Sequence, residues 1–447
     1  MKSAVRKLGF VTILTSSSLC VQAQTSDSLV KENQFTLSGQ IKARGEYRDG
    51  TFQPLQVGVK PAALISQRTR LNFEYSYKDL LTVKIAPQFV SVWGQENLTQ
   101  GIGSNNGLAL FETWAKLKVT KSSHFVLGRQ IISLDDERFF GELDWAQGGR
   151  AHDALSFQIK RSKFEGRAYV AYNQNYKSFY SNNISNPSGN LYSPKDAVTY
   201  KWMQTIWVRF QLNEQNKLSL LATNLGFQNA TNSNDTVRNY NSQTYGAHYE
   251  LNKGKSYLAL SAYFQGGKNQ IGTKTLAYLG SVAYSYSIHE KFKLGAGSDW
   301  VSGNKVGGTS TTNFAFTPYF GTNHKFYGSM DYFYAGNGHK GAGLWDNYVK
   351  LTYKPHKKWQ LALTGHQFHA PFGIINGTDR LSEDLGQEID FDIAFTINKF
   401  VKLTGGYSIY LVNNSIRYLK NITRSERDQH FGWISLNITP TFFQLKQ

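Results

Sequence analysis

Between Phe35 and Tyr47 the chain alternates without a slip. Every odd position is apolar or glycine (Phe35, Leu37, Gly39, Ile41, Ala43, Gly45, Tyr47), and every even one is polar (Thr36, Ser38, Gln40, Lys42, Arg44, Glu46). Period two belongs to the β-strand, whose successive side chains point to opposite faces. Globular strands run to about 5–6 residues, whereas a tilted membrane strand needs about 9–11. The run is long enough to cross a bilayer with one greasy and one charged face.

The alternation recurs. In Arg68–Lys78 the polar set Arg68, Arg70, Asn72, Glu74 opposes Leu71, Phe73, Tyr75 and Tyr77. Phe111, Ala115, Leu117 and Val119 oppose Glu112, Lys116 and Lys118, and near the end Ile389, Phe391, Ile393 and Phe395 oppose Glu388, Asp390 and Asp392. About 18 such strands fit the chain. Short connections, such as Lys78-Asp79-Leu80 and Arg161-Ser162-Lys163, alternate with long ones at roughly 48–61, 94–107, 131–152, 173–198, 224–238, 266–276, 303–343, 369–387 and 412–429. Transmembrane barrels have that rhythm, with short periplasmic turns and long extracellular loops. The fold class read from the sequence is therefore all-β, a transmembrane antiparallel barrel. Pro440 cannot donate to a ladder and is expected to end the last strand. The glycine- and aromatic-rich loop 303–343 is expected either to fold into the lumen as a constriction, the favoured reading, or to cover the outer mouth.

Composition agrees. Aromatics are 14% of the chain, and 40 glycines stand against 9 prolines. A mean hydropathy of −0.42 suits strands that are apolar on one face only. No linker divides the chain, so residues 24–447 read as one barrel domain. Residues 1–23 read as a secretory signal: Lys2, Arg6 and Lys7, an apolar stretch from Leu8, and Ala23 before the cut. Leu19 before Cys20 is not the small residue that lipidation wants. Removing the signal lowers the net charge from +18 to +15 and removes the single cysteine, so neither disulfides nor thiol chemistry is expected.

With polar faces inward, the lumen collects Lys42, Arg44, Arg68, Arg70, Lys84, Lys116, Lys118, Lys160, Arg167, Lys201, Arg209, Lys350 and Lys402. Against them stand Glu46, Glu74, Glu112, Glu165, Asp346, Glu388, Asp390 and Asp392. A cationic wall concentrates anions, and arginine's planar fork suits carboxylates. The segment Gly128–Asp153 adds Arg129, Asp135, Asp136, Glu137, Arg138, Asp144, Arg150 and Asp153. It reads as a salt-bridged loop in or over the pore. A divalent-cation site at Asp135, Asp136 and Glu137 is the other reading, against which the interspersed arginines argue. No GxSxG, HExxH or Ser–His–Asp set is present, so neither an enzyme nor a cofactor is expected. An exported barrel also makes a nucleic-acid partner improbable. Outer-membrane lipid is the expected surroundings, in the outer membrane of a Gram-negative cell.

Three stretches resemble the alginate-export family of outer-membrane porins. The first is Gly128-Arg129-Gln130, Asp136-Glu137-Arg138, Gly141, Asp144-Trp145, Gly149-Arg150 and Asp153. The second is Leu385–Asp390 followed by Gly406-Tyr407-Ser408, and the weaker third is Asp299–Gly303, His324, Gly328 and Asp331. The resemblance implies an 18-stranded barrel whose arginine-lined channel passes an anionic, alginate-like polysaccharide outward, with periplasmic export partners. It places Arg129, Arg138 and Arg150 along or bracing the channel, with Glu112, Glu388 and Asp390 holding those arginines or tuning the field. The alternative is a general or anion-selective porin taking up small anions or oligosaccharides.

Overall fold

The computed structural model describes residues 32–50, 52–95, 108–173, 200–229, 238–335 and 338–446. The signal segment 1–23 lies outside them. In chain order the strands are β1 (Gln34–Arg48), β2 (Ala62–Tyr77), β3 (Leu81–Val92), β4 (Leu108–Thr120), β5 (Ser123–Gln130) and β6 (His152–Lys160). There follow β7 (Phe164–Tyr172), β8 (Trp202–Gln211), β9 (Asn216–Asn229), β10 (Arg238–Lys253), β11 (Ser256–Gly267) and β12 (Ala277–His289). The last are β13 (Phe292–Val301), β14 (Leu344–Tyr353), β15 (Trp359–His369), β16 (Asp384–Thr396), β17 (Val401–Leu411) and β18 (Asp428–Ile438, resumed at Thr441–Lys446). Each pairs antiparallel with the next. β18 pairs with β1, Ile41 opposite Ile438 and Phe35 opposite Leu445, so the sheet closes as an 18-stranded barrel with no free edge.

Pro440 interrupts the last strand without ending it. Its carbonyl accepts from Gly39 N at 3.0 Å, so the ladder continues through the group proline still has. The register then shifts between Leu37 and Ser38. Phe442 there lies so near Gly39 that a Cβ would meet its ring at 2.6 Å.

The barrel is inside-out relative to a globular core. Ile41 is 46% exposed and Leu127 61%, whereas Arg68 is 0% exposed and Glu388 1%. The outward residues form the band that lipid covers. One sequence assignment fails for a definable reason. β3 and β4 shift register at Ala86/Pro87, where Ala86 faces Glu112 and Pro87 faces Leu110, leaving Phe111 as the extra residue. The bulge turns Phe111 inward beside Glu112, and the outward set changes from Leu108 and Leu110 to Leu117 and Val119. Phe111 is therefore a lumen residue, contrary to strict alternation.

The short turns join β2–β3, β4–β5 and so on at one end of the barrel. The helix α1 (Asn414–Leu419) and two small strand pairs lie in the long connections at the other end.

Candidate functional site

Two long loops fold into the lumen and meet there. Loop 131–151 crosses from wall to wall. On one side Asp135 accepts from Trp207 Nε1 at 3.0 Å and Arg209 at 3.0 Å on β8, and Asp136 accepts from Ser261 on β11 at 3.0 Å. Arg138 pairs with Asp136 at 2.9 Å and with Asp299 of β13 at 2.8 Å. Burial opposes the Arg138 charge, but Asp299 and Asp136 outweigh it and hold the guanidinium well above its ordinary pKa.

On the far side the same loop meets β1, β2 and β3. Lys42 Nζ donates to Asp144 O at 2.6 Å and pairs with its carboxylate at 3.2 Å, and Arg68 reaches the other carboxylate oxygen at 2.6 Å. Burial pushes the Asp144 carboxyl up, yet Arg68 and Lys42 overcome it and set it below the usual range. Arg44 donates to Trp145 O at 2.5 Å and lies 4.0 Å from the Trp145 ring, while Gln88 donates to Gly148 O at 2.8 Å.

Loop 302–343 lies alongside. Gly141 N donates to Phe320 O at 2.8 Å and Thr322 N to Glu137 O at 2.9 Å. Arg150 donates to Gly321 O at 3.1 Å and to the Phe320 carbonyl. Phe139, Phe140, Phe320 and Tyr263 pack into an aromatic cluster between loops and wall. His324 stacks on Trp145 at 3.7 Å and pairs with Asp331 at 2.8 Å. Met330 N donates to Glu388 Oε1 at 2.8 Å. The expectation that 303–343 enters the lumen matches these contacts.

The structure gathers Lys42, Arg44, Arg68 and Arg70 into one row on β1 and β2. Three of the four have an acidic partner: Lys42 and Arg68 share Asp144, and Arg44 pairs with Glu46 at 2.6 Å. Arg70 has none. Its Nε donates to Gln88 at 3.0 Å, and its guanidinium stacks on Phe111 at 3.6 Å. Arg167 lies on another wall, paired with Glu165 at 2.6 Å and 5.2 Å from the Trp207 ring.

Other placements differ from the sequence reading. Arg129 shares the outward side with Phe125 and Leu127 and pairs there with Asp153 at 2.9 Å, so it does not line the lumen. Arg138 and Arg150 brace the loops from buried positions. Glu112 holds Lys84 and accepts from Trp114, not from an arginine. Glu388 holds the Met330 amide, and Asp390 lies 3.5 Å from His366. Asp136 and Asp299 are the carboxylates that hold Arg138. Gln88 lies on the polar face as its parity implies, whereas alternation assigns Phe111 to the outward face, since it carries no signal of the bulge between Ala86 and Pro87.

Glu142, in loop 131–151, completes the electrostatics. Burial first, then Asp144 and Glu137, push its pKa up to about 7 against the pull of Arg68 and Arg70. Among the described residues no cluster of metal-ligating side chains occurs.

No family model and no curated protein matches the sequence. Solved structures do. OpdL of Pseudomonas aeruginosa superposes with a TM-score of 0.60 at 13% identity, covering 92% of this chain and 99% of that one. OccAB1 of Acinetobacter baumannii gives 0.59 at 12%, covering 92% and 97%. The outer membrane protein OpdK of Pseudomonas aeruginosa gives 0.56 at 10%, covering 91% and 99%. The likeness is one of fold. It supports an outer-membrane-type barrel and does not single out the alginate-export family.

Proposed function

We propose that this chain is an outer-membrane porin that admits small anionic solutes, carboxylates above all. The observation that carries this reading is the row Lys42, Arg44, Arg68 and Arg70 facing loop 131–151, in which Arg70 pairs with no carboxylate among the described residues. A guanidinium held flat on Phe111 and steadied by Gln88 is preorganised for a bidentate carboxylate. Such a row lowers the barrier for anions and raises it for cations.

Uptake of small solutes fits better than outward passage of an acidic polymer. Two loops, pinned to the wall by buried ion pairs and an aromatic cluster, occupy the lumen where a polysaccharide chain would have to thread. The likeness to OpdK, OpdL and OccAB1 also favours the uptake reading over alginate export. The test is planar-bilayer recording under a salt gradient. The wild-type channel is expected to be anion-selective, and Arg70→Ala to lower that selectivity without abolishing conductance. A cation-selective wild-type channel, or an Arg70→Ala channel with unchanged reversal potential, overturns the reading.

A further inference from the structure

The short-turn rim of the barrel carries a charge pattern that solute passage does not use. Turn 354–358 holds three lysines, and turn 161–163 holds Arg161 and Lys163. Lys78, Lys121, Lys255, Lys291 and Lys399 sit one to a turn. The acids of these turns are Asp79, Glu214 and Glu290, and only turn 212–215 lacks a cation. All five single lysines are exposed. By contrast, loop 131–151 on the other side holds five acids and two arginines.

The cations lie next to outward aromatics. Tyr77 (41% exposed), Tyr286 (42%), Phe292 (40%), Trp359 (37%) and Phe400 (37%) stand at the ends of the strands that these turns join. Lys78 lies 5.5 Å from the Tyr77 ring and Lys399 4.7 Å from that of Phe400. Aromatic rings at a strand end mark the headgroup level of a bilayer, so the cations stand where lipid phosphates lie.

We propose that this rim binds the anionic phospholipid headgroups of the periplasmic leaflet, anchoring the barrel's short-turn end in that leaflet. The shape of the pattern selects the occupant. The cations follow seven of the eight turns round the circumference. That suits an annulus of lipid, whereas a docked protein would use one patch. The proposal rests on the outer-membrane reading of the barrel, but not on what the channel conducts.

The test uses the full barrel reconstituted in phosphatidylcholine with trace spin-labelled phosphatidylglycerol or phosphatidylcholine, compared by electron spin resonance. Phosphatidylglycerol should be preferred at the barrel surface by about fivefold at low salt, what one lysine near an anionic surface is worth. The preference should collapse toward unity in 1 M salt, where the screening length is about 3 Å. Replacing Lys78, Lys121, Lys163, Lys255, Lys291 and Lys399 by glutamine, which leaves Arg161 and the lysines of turn 354–358, should lower it severalfold while leaving the reversal potential of the channel in place. Should that variant fail to fold, Lys121→Gln with Lys163→Gln should lower the preference partway. Equal association of the two lipids with wild type overturns the proposal. So does a lipid preference that the variants leave intact, or a change confined to ion selectivity, which would assign the ring to solute passage. A wild-type barrel that conducts nothing yet keeps the lipid preference would sink the porin reading alone.

Discussion

Asp144 is where the crossing loop is held to the basic wall, so Asp144→Ala should both loosen the loop and expose positive charge. Its carboxylate lies 2.6 Å from Arg68 and 3.2 Å from Lys42. At an effective dielectric near 20, unit charges at those separations attract by about 6 and about 5 kcal/mol. Desolvation of the three groups cancels part of this, and removing one partner of a buried pair typically costs about 3–5 kcal/mol. Arg68 is 0% exposed, so its charge is left uncompensated in place. The ties that remain are hydrogen bonds alone: Lys42 to Asp144 O, Arg68 to Gln147 O, Gln147 to Ser66, Arg44 to Trp145 O and Gln88 to Gly148 O. Being hydrogen bonds to charged or neutral donors, they supply only about 0.5–3 kcal/mol each. Single-channel recording should show a larger, noisier conductance and a reversal potential shifted toward the anion limit. Asp144→Glu should restore part of both. In the wild type the Asp144 tie itself should loosen only in acid. The folded pKa of Asp144 is depressed, so its contribution is complete above the unfolded value near 3.9 and fades as pH falls below that through the folded value. A variant with wild-type conductance and reversal potential at neutral pH would refute the assignment of Asp144 as the tie.

Three further outcomes are expected. Glu142 has its pKa raised to about 7, so anion selectivity should decline as pH rises through 7, and Glu142→Gln should flatten that profile in reversal-potential measurements. By linkage the folded protein holds the extra proton, so Glu142 makes stability fall as pH rises from about 4.3 toward 7. Ile41→Arg places a charge in the lipid-facing band near the middle of β1 and should cost about 2–4 kcal/mol in bilayer unfolding titrations. Gly328→Ala strains a backbone at φ +83° and drives a Cβ to 2.3 Å from Glu388, so loop 302–343 should undock from β16 and become cleavable by protease in the folded barrel.

The sequence by itself determined the barrel. Period two, strand length and the rhythm of connections are local properties, written in consecutive residues, and a closed transmembrane sheet is the only way to satisfy long strands greasy on one side. The basic row was legible for the same reason, since Lys42, Arg44, Arg68 and Arg70 occupy the polar parity of two neighbouring strands. Parity failed where a bulge intervened, at Phe111, and where a strand residue was read with its loop, at Arg129. Pro440 was misjudged because a missing donor does not prevent its carbonyl from pairing with Gly39.

Only the tertiary structure decided what fills the lumen. Asp144 meets Arg68, Asp299 meets Arg138 and Met330 meets Glu388 across dozens of residues or more. No local pattern encodes those partners; they are chosen by which groups a folded loop brings within reach of a wall already built. Burial then fixes their energetics, because a charge enclosed by the loops must find a counter-charge there. Arg70 meets Phe111 and Gln88 because the bulge delivers Phe111 beneath it and β3 sets Gln88 beside it, an arrangement set by register between strands and not by the order of residues in any one of them.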